Sequence, residues 1–180
     1  MRPKPALDRS FRQRAAVVVA AAAAFGAAGC AATATVEPAP QAHDPVCADV
    51  MLTLPEEIGE HSQRPTSSQG TAAWGDPAAV VLRCGVEPIG PSEHPCVSPA
   101  GVDWVWIENE DHLQLISYGR EPTVEVLLDG ERLTEDTTMN AQFALSEAVG
   151  RIEQTRRCTD LLDIEETDET EAGSQDSSAG

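Results

Sequence analysis

The sequence is short of basic residues, aromatic residues and long apolar runs, and each shortage removes a class of function. Only 12 Lys and Arg stand against 30 Asp and Glu in 180 residues, a net charge of -18. Binding a phosphate backbone needs a basic face, so nucleic acid is excluded as a partner. An anionic membrane surface is excluded as an electrostatic partner on the same ground. Aromatic residues make up 4% of the chain, which singles out each of its three Trp. No G-x-S-x-G, S-x-x-K, H-E-x-x-H or P-loop is present, and the four His fall in no pair or triad spacing. No catalytic constellation, metal site or cofactor motif therefore emerges, and the sequence points away from an enzyme. The length suits one ordinary domain.

The longest apolar run is Ala15 to Ala28, broken only by Gly26. It is shorter than the roughly 17–25 residues that cross a bilayer. Arg2, Lys4, Arg9, Arg12 and Arg14 precede it, and Ala27-Ala28-Gly29-Cys30 closes it. A basic start, a short apolar stretch and small residues at the break make a secretory signal. The closing tetrad resembles the bacterial lipobox, with Ala27 where Leu is usual. That resemblance implies that Cys30 is lipidated and becomes the first mature residue, placing the protein on the extracytoplasmic face of the cell membrane. An ordinary signal peptide, cut nearby or left uncut, is the alternative. Without residues 1–29 the chain keeps 7 basic and 29 acidic residues, a net charge of -22.

Four cysteines remain: Cys47, Cys84, Cys96 and Cys158. An even number in an exported chain reads as two disulfides, with three possible connectivities. Cys84–Cys96 is favoured because it would close a Gly/Pro/Ser-rich loop, and Cys47–Cys158 because it would staple the ends of the folded part. Chain entropy would contribute about 3 kcal/mol for the short loop and nearly 5 for the long one. A zinc site of Cys84, His94 and Cys96 is the weaker reading, since that spacing matches no zinc knuckle.

Composition divides the mature chain into a flexible tether at 30–45, a single folded domain at 46–162 and an acidic tail at 163–180, the last too polar to offset its ordering entropy. Within the domain, 46–54 reads as a short helix and 61–70 as a loop. Residues 78–86, 102–108, 112–118 and 123–128 read as strands. Asn109 to Asp111 joins two of them, and Asp129-Gly130 closes the last. Thr138 opens a helix over 139–157, with Met139 and Phe143 opposite its main apolar face and Arg156 and Arg157 in its final turn. The expected fold is α+β: an antiparallel sheet of about four strands, packed with a long C-terminal and a short N-terminal helix.

Trp74 and the two arginines Arg83 and Arg120 are the candidate ligand-binding residues. Trp74, in Trp74-Gly75-Asp76-Pro77, is a rim aromatic for a sugar or peptide, or a core Trp over a tight turn. Arg83 and Arg120 form structural ion pairs, with Asp76, Asp103, Glu121 and Glu125 as candidate partners, or else an anion site.

These stretches, from Cys47 through Trp74-Gly75-Asp76-Pro77, Leu82-Arg83-Cys84-Gly85, Val102-Asp103-Trp104, Tyr118-Gly119-Arg120-Glu121-Pro122 and Val124-Glu125-Val126 to Cys158, occur in an order that resembles the actinobacterial DUF3515 lipoproteins. The resemblance covers roughly 47–158 and implies an exported, lipid-anchored envelope protein of unassigned activity. The reading is a non-enzymatic interaction or accessory module whose partners are envelope proteins or cell-wall material. The alternative is a small-ligand or wall-fragment binding domain built on Trp74, Arg83 and Arg120.

Overall fold

The computed structural model describes residues 32–158. The signal segment, Cys30 and the 163–180 tail lie outside these residues. The chain forms eight strands: β1 (Glu57–Ile58), β2 (His61–Arg64), β3 (Thr71–Trp74), β4 (Val80–Val86), β5 (Cys96–Val97), β6 (Trp104–Glu108), β7 (His112–Ser117) and β8 (Thr123–Asp129). They form one sheet in the order β1-β2-β3-β4-β8-β7-β6-β5, antiparallel throughout. Two meanders thus start at opposite edges and meet at the central β4–β8 pair. The sheet has eight strands where about four were expected. The four strands read from the sequence are its centre. The added ones are short, and strands of two to four residues are too brief to show a period.

Register assigns the faces. Val80, Leu82 and Cys84 of β4 stand opposite Leu128, Val126 and Val124 of β8, and all six are buried. Ala72 and Trp74 of β3, Leu115 of β7 and Trp104 of β6 extend this face. Two helices cover it: α1 (Pro45–Met51) and α2 (Glu135–Val149). Cys47 and Val50 from α1, and Ala141, Leu145, Ala148 and Val149 from α2, complete the main core, and Ala39, Ala42 and Val86 form a small second cluster.

Helix α2 starts and ends earlier than the apolar spacing predicts. Thr134 caps it by accepting from the Thr137 N–H at 3.2 Å, with Glu135 and Asp136 in the first turn, and Gly150 closes it. Arg156 and Arg157 therefore lie beyond the helix. Met139 and Phe143, 47% and 52% exposed, show that α2 is not buried on two sides.

Residues 32–44 form no free tether. The Ala34 N–H donates to Pro65 O at 2.8 Å, the Ser67 N–H to Ala34 O at 2.9 Å and the Gln41 N–H to Gly85 O at 2.9 Å. Ser67 and Ser68 both donate to Val36 O. Val36, Ala39 and Ala42 are buried. The approach is so close that only glycine fits at position 85, where φ is +91 and a Cβ would overlap the Gln41 backbone.

The disulfides are Cys47–Cys84 and Cys96–Cys158, with Cα–Cα distances of 5.7 and 6.1 Å. The favoured pairing was wrong. Cys84 lies on a central strand and Cys96 on an edge strand, with β8, β7 and β6 between them. Four strand spacings are about 19 Å, far beyond the reach of a disulfide. Nor can Cys47 meet Cys158, because Cys84 faces the helices whereas register puts Cys96 on the other face. One bridge therefore serves each face of the sheet, and the Cys84–His94–Cys96 zinc set does not assemble.

Candidate functional site

The three candidate binding residues point to different places. Trp74 is 0% exposed on the helix-covered face, and its Nε1–H donates to Pro55 O at 3.0 Å. It is a core Trp. Arg83, one strand over on the opposite face, donates to Glu125 Oε2 at 2.9 Å. The two are direct cross-strand partners, and Gln114 on β7 donates to the other oxygen, Oε1, at 2.6 Å. Glu125 is 7% exposed, so this row holds a nearly buried carboxylate between two donors. Cross-strand placement of opposite charges is the sheet's usual stabilising pair.

Arg120, 6% exposed, sits in the β7–β8 connection. Its guanidinium donates to Ile152 O, to Gly101 O at 3.1 Å and to Gln154 Oε1 at 3.2 Å. Its carboxylate is reached one step later. Asp103, 4% exposed, accepts from Gln154 Nε2 at 2.8 Å and from the Cys158 N–H at 2.7 Å through Oδ2, and from Ser98 Oγ at 2.6 Å through Oδ1. Burial lowers the Arg120 pKa, Asp103 opposes that shift, and Arg157 adds to it. A guanidinium nonetheless keeps its charge at neutral pH. The result is a clamp that fastens the chain after α2, residues 151–158, across the ends of β6 and β7. The Thr155 N–H donates to Gly119 O at 2.7 Å, and Gly119, with φ +69, passes so close to Arg156 that a Cβ would overlap its carbonyl.

Sequence reading named Glu125 and Asp103 among the carboxylates but missed Gln114 and Gln154. A neutral amide in a strand or loop carries no signal until its neighbours are known.

Two clefts flank these networks. The first, about 470 Å³, is a cup of acids at the β6–β7 hairpin: Glu108, Glu110, Asp111, Asp129 and Glu131, beside His112. No group of His, Cys, Asp or Glu among the described residues is arranged to hold a metal ion. The second, about 460 Å³, lies where the β4–β5 crossover passes residues 157–158, and His94, Tyr118 and Arg157 line it. Arg156 lies over the Tyr118 ring at 5.7 Å. The three ion pairs among the described residues are Arg64–Asp76, Arg83–Glu125 and Arg132–Asp129. Arg120 is held by carbonyls. Arg151, Arg156 and Arg157, all on the segment after α2, join none of the three pairs.

A family model, described as a protein of unknown function (DUF3515), matches residues 13–158. The chain belongs to the DUF3515 family. The match ends at Cys158, so the DUF3515 unit includes the clamped segment and its disulfide. No curated protein and no solved structure matches the chain.

Proposed function

We propose that this DUF3515 chain is exported, lipidated at Cys30 and held on the extracytoplasmic face of the cell membrane, where it acts as a non-enzymatic interaction module. The observation that carries this reading is the cross-linking. All four cysteines of the described residues are paired within the fold, as suits an oxidising compartment, and Cys30 is left over at the end of an apolar leader. No helix among the described residues is long and apolar enough to cross a membrane; in this reading the anchor is the lipid on Cys30. The partners are envelope proteins or cell-wall material, and the contact surface is the cleft beside residues 156–158. There Arg157 lines the cleft with His94 and Glu93, and Arg156 lies beside it over Tyr118. Both arginines are exposed and outside any described ion pair, in a mature chain of net charge -22, a setting in which they can take a carboxylate- or phosphate-bearing group. Glu125 and the carbonyl oxygens, by contrast, already occupy Arg83 and Arg120.

Cys30→Ala should release the protein from the membrane fraction or leave it unprocessed. An unmodified Cys30 in the mature membrane-bound protein, seen by mass spectrometry, refutes the anchor. Crosslinked pull-down of the native lipoprotein, compared with an Arg156→Ala/Arg157→Ala variant, tests the surface. Equal partner recovery from both refutes it.

A further inference from the structure

We infer that the domain is seated directly on the lipid surface by its β1–β2 edge, with no spacer between anchor and fold. This rests on lipidation of Cys30. Only Ala31 lies between Cys30 and Ala32, two residue steps that span at most about 7 Å. From Ala32 onward the backbone is already fixed to the domain. The Arg64 side chain on β2 donates to Ala32 O through both Nε and Nη2, and its Nη1 donates to Gly75 O and Asp76 Oδ1. Ala34 then pairs in parallel with Thr66, in the stretch that continues β2. A guanidinium that is 11% exposed and fully engaged on the sheet therefore fastens the first residues after the anchor.

The chemistry of the segment suits a bilayer surface. Ala32, Thr33 and Thr35 are exposed, small and uncharged, and the first charge after Cys30 is Glu37. The β1–β2 edge also carries the exposed Glu56, Glu57 and Glu60, which an anionic leaflet repels, so the seat is held by the short covalent anchor and not by charge. The opposite edge is β5, six strand spacings or about 29 Å from β2. Cys158 is bridged to β5, so the chain beyond it departs from the edge farthest from the lipid. The seat thus orients the molecule: the β2 edge faces the membrane, and the 91–96 crossover and the arginines at 156–157 face outward.

The test uses the full-length native lipoprotein in phosphatidylglycerol-containing vesicles with a spin-labelled headgroup lipid as a contact quencher. A fluorophore is attached through one unnatural residue, either at Ser62, exposed on β2, or at Glu93, exposed in the crossover. Quenching at position 62 should be severalfold stronger than at 93. A ten-residue Gly/Ser insertion between Ala31 and Ala32, spanning about 17 Å as a coil, should abolish that difference. Equal quenching at the two positions, or a difference that survives the insertion, overturns the seating. Intact-mass analysis of the same sample separates the two failures. An acylated Cys30 with equal quenching sinks the seating alone, whereas an unmodified Cys30 sinks the lipoprotein reading and the seating with it.

Discussion

Replacing Asp103 with Asn should cost the domain about 3 kcal/mol while leaving its shape intact. The Asp103 carboxylate accepts three hydrogen bonds, of 2.6, 2.7 and 2.8 Å, from Ser98, the Cys158 N–H and Gln154. In the Asn variant the amide oxygen can still face Cys158 and Gln154, and the NH2 can face the Ser98 hydroxyl, which accepts as well as donates. Geometry survives and charge is lost. A hydrogen bond to a charged group contributes about 1.5–3 kcal/mol and a neutral one about 0.5–1.5, so each of the three loses about 1 kcal/mol. At 4% exposure, water replaces little of this. The loss is a large share of the roughly 5–15 kcal/mol that holds a domain together. Denaturant titration of the oxidised protein, followed by Trp fluorescence, gives the shift. Hydrogen exchange gives its location, since the Thr155 and Cys158 amides should lose protection before those of β8. A midpoint shift worth less than about 0.5 kcal/mol, within the range of an ordinary surface substitution, would refute the view that this carboxylate clamps the segment after α2.

Non-reducing peptide mapping should return Cys47–Cys84 and Cys96–Cys158 peptides. Their separations of 37 and 62 residues correspond to about 4 kcal/mol each in the chain-entropy model, so removing either bridge as a Cys-to-Ala pair should destabilise to a similar extent; a large asymmetry would contradict this. Arg83→Ala should cost about 1–2 kcal/mol, below the 3–5 of a fully buried pair, because the arginine side chain is 27% exposed. No change in thermal stability would show that the Glu125 row contributes nothing. Gly119→Ala should lower the melting temperature by more than Gly130→Ala, whose added Cβ meets open space; equal effects would remove the crossing with Arg156 as a constraint.

The centre of the sheet was legible because β4, β6, β7 and β8 are long enough to alternate, and because Asp129-Gly130 and the Asn109–Asp111 connection mark their ends. Its edges were not. The sequence His61-Ser62-Gln63-Arg64 looks like a loop, yet it pairs with β3 on one side and β1 on the other, because a polar edge strand has no apolar period to show. Residues 32–44 looked like a tether because Val36, Ala39 and Ala42 are small and interspersed with Pro. Their burial depends on a backbone groove that only tertiary structure creates. The disulfide pairing failed for a related reason. Loop composition suggested which cysteines are neighbours along the chain, while the pairing is set by strand order. Of the candidate residues, the Arg83–Glu125 pair was within reach of charge complementarity. The Arg120 clamp was hidden, since it runs through carbonyls and Gln154.

The two bridges also set how the molecule would behave as a load-bearing link. If a partner grips the chain beyond Cys158 while Cys30 is fixed in a membrane, the pull enters at Ala32 and leaves at Cys158. Unfolding under that load cannot release the segments inside the disulfides, which span 37 and 62 residues. Only the 15 residue steps from Ala32 to Cys47 and the 12 from Cys84 to Cys96 can pay out, about 95 Å of contour against some 440 Å for an uncrosslinked chain of the same length. Stretched between the bilayer and an envelope partner, the protein would act as a short leash with a fixed stop.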